Sequence, residues 1–190
     1  MKLAKERGSF PNFPLSLWPQ RNYSELRNAM VTTIAPTGTI SIIAGCSPGI
    51  EPLFGLGYVQ KNVMRQGDEL VEVNPLFREI AKRKGFYSEK LMRRVAEKGS
   101  VQEEDEVPDE YKSLFKTAYE IDPVWHLRIQ AAFQKHTDSA VSKTVNLPHS
   151  ATVDKVKEVY LLAWKLGCKG VTVYRDRCRQ DQVMNIGVKS

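Results

Sequence analysis

The chain's 190 residues suffice for one domain with a real core, and 42% hydrophobic with 26% charged residues is ordinary for a globular protein. No apolar run approaches a membrane span, and residues 1–7 lack the apolar core and cleavage site of a signal peptide, so a cytoplasmic location is expected. The net charge of +6 arises from basic residues that mostly alternate with acids, which argues against nucleic-acid binding, and Cys46, Cys168 and Cys178 show no CxxC spacing, which argues against a zinc site or a disulfide framework.

Residues 1–24 carry Phe10-Pro11-Asn12-Phe13-Pro14 and Leu17-Trp18-Pro19 and read as an extended segment packing its aromatics onto something, the entry into a domain already under way. Val31 to Ile34 are all β-branched and predict a short buried strand. Pro36 ends its pairing, Gly38 permits a close backbone approach, and the apolar run from Ile40 to Ala44 predicts a helix. Further along, Tyr58 to Val63 and Leu70 to Val73 alternate around Gln66-Gly67-Asp68, the pattern of a hairpin. Asn74-Pro75 opens a helix that stops at Gly85, and Ser88 opens another, striped by Leu91, Val95 and Ala96 and ending near Gly99.

Residues 102–106 read as an acidic, exposed loop. A third helix is predicted over residues 108–119, and Asp122-Pro123 opens a fourth with Trp125, Ile129, Ala132 and Phe133 as its buried face. Residues 144–148 form a short strand. Ser150 or Thr152 caps a last helix with Val153, Val156, Tyr160, Ala163 and Trp164 on its stripe, and residues 170–174 close as a strand. This order suits an α/β domain with helices outside, followed by a flexible tail over residues 176–190.

The turn at residues 36–41 concentrates possible chemistry. It aims several backbone N–H groups and the hydroxyls of Thr37, Thr39 and Ser41 at one spot beside a helix N-terminus, a natural place for an anion. The alternative is a plain capping turn with Thr39 or Ser41 as the cap. It is not a Walker loop, since no Gly-Lys-Ser/Thr follows. His126, His136 and His149 lack partners at motif spacing and read as structural or exposed. Glu51, set among Ile50, Leu53 and Phe54, is either a buried acid or, as the favoured reading, a ligand to backbone N–H groups.

The combination is more specific than its parts. Thr33-Ile34-Ala35-Pro36-Thr37-Gly38-Thr39-Ile40-Ser41-Ile42-Ile43-Ala44-Gly45-Cys46-Ser47 is followed by Gly49-Ile50-Glu51-Pro52, by Gln130-Ala131-Ala132-Phe133-Gln134-Lys135, and by Ala140-Val141-Ser142-Lys143-Thr144-Val145-Asn146-Leu147-Pro148. Gly170-Val171-Thr172-Val173-Tyr174-Arg175-Asp176 completes the set. Together they resemble the C-terminal part of the adenosylcobalamin-dependent (class II) ribonucleotide reductases, from about residue 7 to residue 183.

That resemblance implies the second half of a ten-stranded α/β barrel with helices packed outside, residues 1–190 forming the C-terminal barrel domain as a fragment or a split subunit. It implies ribonucleotide reduction by radical chemistry: adenosylcobalamin generates a radical on a finger-loop cysteine, and a thioredoxin-type reductant restores the enzyme. The family's Pro-Thr-Gly-Thr turn holds substrate phosphates, so Thr37, Gly38, Thr39, Ile40 and Ser41 are the implied phosphate-binding residues, with no catalytic or metal-binding residue in this chain.

Departures accompany the match. The family's Asn-Pro-Cys-Gly-Glu radical-cysteine motif and terminal CxxC are absent, so a larger polypeptide carrying the finger-loop cysteine is the implied partner. The family's Arg-Asp-Gly-Ser-Arg is Arg175-Asp176-Arg177-Cys178-Arg179 here, which removes backbone freedom just past the last strand. Cys46 carries no implied role and reads as a small buried side chain. The alternative function is a stand-alone nucleotide-binding or regulatory remnant without catalysis.

Overall fold

A computed structural model describes residues 1–61, 69–178 and 187–189. Its first layer is built on a hairpin. Strands β1 (Gly57–Lys61) and β2 (Glu69–Val73) pair antiparallel, with Gly57 opposite Val73 and Lys61 opposite Glu69. The expected turn at residues 66–68 lies outside the described residues. Two capped helices follow, α3 (Pro75–Lys84) and α4 (Glu89–Lys98). The Asn74 side chain accepts from the Phe77 amide and Ser88 accepts from the Leu91 amide, each satisfying one of the orphan donors at a helix start. Both helices end on a left-handed glycine, Gly85 and Gly99, as their sequences predict.

These elements bury one apolar cluster, with Leu56, Val59, Phe77, Leu91, Met92 and Val95 at its centre. The helix α4 lies so close to the hairpin that a Cβ on Gly57 would sit 2.5 Å from the Glu72 carbonyl oxygen and 3.0 Å from the Ala96 Cα. Glycine is required at position 57 for this approach.

The second layer is a parallel unit. Helix α6 (Pro123–Gln134) precedes β3 (Thr144–Leu147), and α7 (Val153–Lys165) crosses over to β4 (Thr172–Arg175). The strands pair in parallel from Thr144 opposite Thr172 to Leu147 opposite Arg175. Leu127, Val145, Leu147, Val159 and Ala163 form its core. Thr152, one of the two predicted caps, accepts from the Lys155 amide. Upstream of β3, Val141 forms a parallel bridge to Ile34. The α/β class and the placement of helices outside the strands follow the sequence reading. Among the described residues the strands fall into two small sheets rather than one continuous half-barrel.

Several expectations are corrected. Residues 1–24 are not extended: α1 (Lys2–Arg7) is followed by two 3-10 turns, Phe13–Leu15 and Pro19–Arg21, with Phe10 edge-on to Phe13 and Trp18 edge-on to Tyr23. Residues 31–34 are not a buried strand. Only Ile34 makes a bridge, and Val31 is 73% exposed; the bonds to residues 138–142 run partly through side chains, from the Val31 amide to the Asp138 carboxylate and from the Thr33 hydroxyl to the Ala140 carbonyl, in place of a regular ladder. The third helix, α5 (Asp109–Leu114), is shorter than predicted, since Glu120 accepts from the Thr117 amide and the Leu53 carbonyl takes the Ala118 amide. In the acidic loop, Glu104 is buried rather than exposed: it pairs with Arg94 at 2.6 Å and Lys98 at 3.0 Å, and those partners hold its carboxyl below the usual range against the cost of burial.

The largest correction concerns α6. Its buried residues are His126, Leu127, Gln130, Ala131 and Gln134, while Trp125, Ile129, Ala132 and Phe133 face outward. The glutamines serve as backbone ligands: Gln130 donates to the Val141 and Gly170 carbonyls, and Gln134 donates to the Ser139 carbonyl while accepting the Lys169 amide. On α7, Val153, Tyr160 and Trp164 are likewise exposed, leaving Val159 and Ala163 inside.

Part of the expected tail carries structure. Residues 187–189 form β5 (Gly187–Lys189), parallel to β1. Just past β4, Arg177 adopts φ 54, a left-handed backbone that disfavours a Cβ. Arg177→Gly is therefore expected to raise stability by about 1 kcal/mol, read as a higher urea midpoint. An unchanged or lower midpoint would count against this strain.

Candidate functional site

The hydroxyl-rich turn feeds α2 (Gly38–Ala44). Thr37 is its N-cap, held left-handed at φ 51, ψ 26, a conformation uncommon for a threonine. The first intrahelical bond runs from the Ser41 amide to the Thr37 carbonyl at 3.0 Å. The amides of Gly38, Thr39 and Ile40 precede that bond and point out of the helix start. Thr37, Gly38, Thr39 and Ile40 are exposed. A Cβ on Gly38 would meet nothing within 4 Å, so that face of the turn is open.

Ser41 differs from its neighbours. It is buried, and its hydroxyl donates to the Gly38 carbonyl at 2.6 Å. Neither Thr39 nor Ser41 is the cap, contrary to the capping alternative; Thr37 occupies that position and its side chain makes no capping bond. The structure thus brings Thr37, Gly38, Thr39 and Ile40 together on one open face and places the Ser41 side chain behind them.

Both ends of this turn are tied to the segment leading into β3. On the incoming side, Ser139 donates its amide to the Thr32 carbonyl at 3.0 Å, and Ser142 donates to the Ile34 carbonyl at 2.9 Å. On the outgoing side, Gly49 sits at φ 56 against the Ala35 carbonyl and the Ile34 side chain, where a Cβ would come within 3.4 Å of both. Glu51 then reaches β3. Its Oε1 accepts from the Thr144 amide at 2.6 Å, and its Oε2 pairs with the Lys143 Nζ at 2.6 Å. The favoured reading of Glu51 as a backbone ligand agrees with this geometry.

Lys143 was not legible as special, yet its side chain is only 1% exposed. Its ammonium also meets the His126 Nδ1 and the Thr144 carbonyl, both at 2.6 Å. Since the His126 Nε2 lies 3.0 Å from the Ala118 carbonyl, Nε2–H donates there and Nδ1 accepts from the lysine. Burial pushes both basic groups below their ordinary values; Lys143 adds to the effect at His126, and Glu51 opposes it at Lys143. The available signal was periodicity. Position 143 falls between buried Val141 and Val145 on the inward alternation, where a lysine requires a partner.

The remaining candidates assemble nothing further. Cys46 is exposed, not buried as expected, because the end of α2 carries no covering element. Cys178 is exposed, and burial alone pushes the half-buried Cys168 thiol up. Among the described residues no cluster of His, Cys, Asp and Glu could hold a metal ion, and no helix is long and apolar enough to cross a membrane.

Comparison with known proteins shows the family. The sequence matches the family described as ribonucleotide reductase, barrel domain, over residues 21–174. The chain belongs to the ribonucleotide reductase barrel family. Reductase relatives include the vitamin B12-dependent ribonucleoside-diphosphate reductase of Thermoplasma acidophilum, 50% identical over 185 residues, which are 97% of this chain and 24% of that protein. The protein of the same name from Mycobacterium tuberculosis (strain CDC 1551 / Oshkosh) is 48% identical over 97% of this chain and 26% of its own length. The chain spans about a quarter of the length of these relatives. Its fold also resembles the Actinobacillus ureae class Id ribonucleotide reductase alpha subunit, at TM-score 0.69 and 26% identity, covering 93% of this chain and 30% of that one.

Proposed function

We propose that this chain is the phosphate-binding side of an adenosylcobalamin-dependent ribonucleotide reductase, acting on ribonucleoside diphosphates or triphosphates. It works only with a larger polypeptide that carries the finger-loop cysteine. The observation that carries this reading is the open turn at Thr37, Gly38, Thr39 and Ile40. Left-handed Thr37 lets three amides and two hydroxyls converge on one anion, and the positive end of α2 favours the charge. Ser41 supports the turn through its bond to the Gly38 carbonyl. The chain's task is to bind and orient: holding the phosphates fixes the ribose against the radical cysteine supplied by the partner.

Adenosylcobalamin would supply the initiating radical, and a thioredoxin-type reductant the electrons. The described residues do not by themselves fit the cofactor. Two grooves among them, of about 540 and 480 Å³, are open furrows, and neither encloses a corrin. The larger polypeptide is expected to hold most of it, and a cytoplasmic location goes with this reading.

The exposed apolar residues support an incomplete assembly. Ile42 and Ile43 on α2, Trp125, Ile129 and Phe133 on α6, and Tyr160 and Trp164 on α7 stand exposed, as large apolar side chains do where another surface is to cover them. The isolated chain is expected to self-associate in sedimentation velocity, and to shift to a discrete complex when the finger-loop-bearing polypeptide is added. A well-dispersed monomer that ignores that polypeptide would favour the stand-alone nucleotide-binding remnant.

A further inference from the structure

Residues 35–49, which contain the phosphate turn, bury only Ser41. A segment with so little of its own core takes its position from its two ends. The incoming end is held by backbone bonds from Ser139 and Ser142 to Thr32 and Ile34. The outgoing end is held by Glu51, whose two carboxylate oxygens take the Lys143 ammonium and the Thr144 amide. Both anchors lie within residues 139–144, so one short stretch of chain holds the turn from both sides.

The Lys143 ammonium is fully committed. It has three protons and meets three acceptors: Glu51 Oε2, His126 Nδ1 and the Thr144 carbonyl. From His126 the contacts continue to the Ala118 carbonyl, and the Ala118 amide returns to the Leu53 carbonyl at 2.8 Å, two residues past Glu51. The hydrogen bonds therefore close a ring through Glu51, Lys143, His126, Ala118 and Leu53. A closed ring of satisfied groups with a buried ammonium at its centre admits one arrangement, because shifting any member strands another polar group away from water.

We infer that Lys143 is a positioning residue for the reaction: through Glu51 and His126 it locks the outgoing end of the phosphate turn, and so sets where the substrate phosphates sit. It touches no substrate itself. This inference rests on the phosphate-binding reading of the turn.

The test uses the complete reductase, this chain with the finger-loop-bearing polypeptide. Lys143→Met is expected to raise KM for the ribonucleotide by about tenfold with kcat within about twofold, the loss of roughly one well-aligned charged contact. Amide exchange across residues 41–46 should quicken in the same variant, with or without nucleotide. The double variant Glu51→Gln/Lys143→Met removes both charges but keeps an acceptor for the Thr144 amide, and should recover most of both readouts. Glu51→Ala/Lys143→Met removes that acceptor and should not.

Unchanged KM and unchanged exchange in Lys143→Met would overturn the inference. Equal behaviour of the two double variants would also overturn it, even if Lys143→Met alone fails to fold. Faster exchange in Lys143→Met, combined with a wild-type turn that nucleotide never protects, would keep the lock and remove the phosphate reading instead.

Discussion

Replacing Thr37 and Thr39 together by alanine is expected to weaken ribonucleotide binding to the complete reductase by about a hundredfold, at about 1.5 kcal/mol for each hydroxyl bonded to a charged phosphate. The backbone donors of Gly38, Thr39 and Ile40 survive the change, so binding should fall rather than vanish. The fold should be indifferent. Both side chains are exposed, and the Thr37 side chain makes no capping bond. Calorimetric titration with a ribonucleoside diphosphate checks the first part, and an unchanged urea midpoint checks the second. Wild-type affinity in the double variant would remove these hydroxyls from the site.

Phe77→Ala is expected to cost about 3–5 kcal/mol, a large share of the stability of an ordinary domain. Phe77 has no exposure, and it sits edge-on to Phe115 at 5.1 Å between ring centroids, with Phe86 at 6.1 Å. Its amide also completes the Asn74 cap, so the ring lies where the first turn of α3 meets the sheet. Truncation leaves a cavity that the capped helices cannot close by sliding. A thermal or urea melt reads the loss directly. A midpoint close to wild type would mean that the first layer repacks far more freely than its geometry implies.

What was legible in the sequence depended on local chemistry. Asn74-Pro75, Ser88, Gly85 and Gly99 fix the limits of α3 and α4 through bonds within a few residues, and the structure places those helices where the residues predict. The limits of β3, α7 and β4 were readable for the same reason, while their parallel pairing and the inward face of α7 were not. Residues 31–34 read as a strand because β-branched residues favour a half-buried pleated surface, yet here only Ile34 bridges, to Val141, and Val31 stays exposed.

The α6 error has a different origin. Its apolar stripe predicts an inward face, but Gln130, Gln134 and His126 go inward instead and bond backbone carbonyls. An amphipathic pattern says that two faces differ, and it assumes that the apolar one meets this chain's own core. The chain spans about a quarter of the length of the relatives it matches, and on the proposed reading that assumption fails wherever the larger polypeptide would cover the surface.

The candidate site divides in the same way. The turn from Thr37 to Ser41 could be read from a few adjacent residues. Its anchoring by Lys143 could not, since the partners lie 92 and 17 residues away in sequence. Only the odd lysine on an inward strand position hinted at it.

The most direct test of the central claim is reductase activity on ribonucleotides with adenosylcobalamin and dithiothreitol, measured for this chain alone, for the finger-loop-bearing polypeptide alone, and for the two mixed. Deoxyribonucleotide formed only in the mixture is the predicted result. A mixture that forms a complex yet makes no product, with a partner competent in its cofactor chemistry, would contradict it.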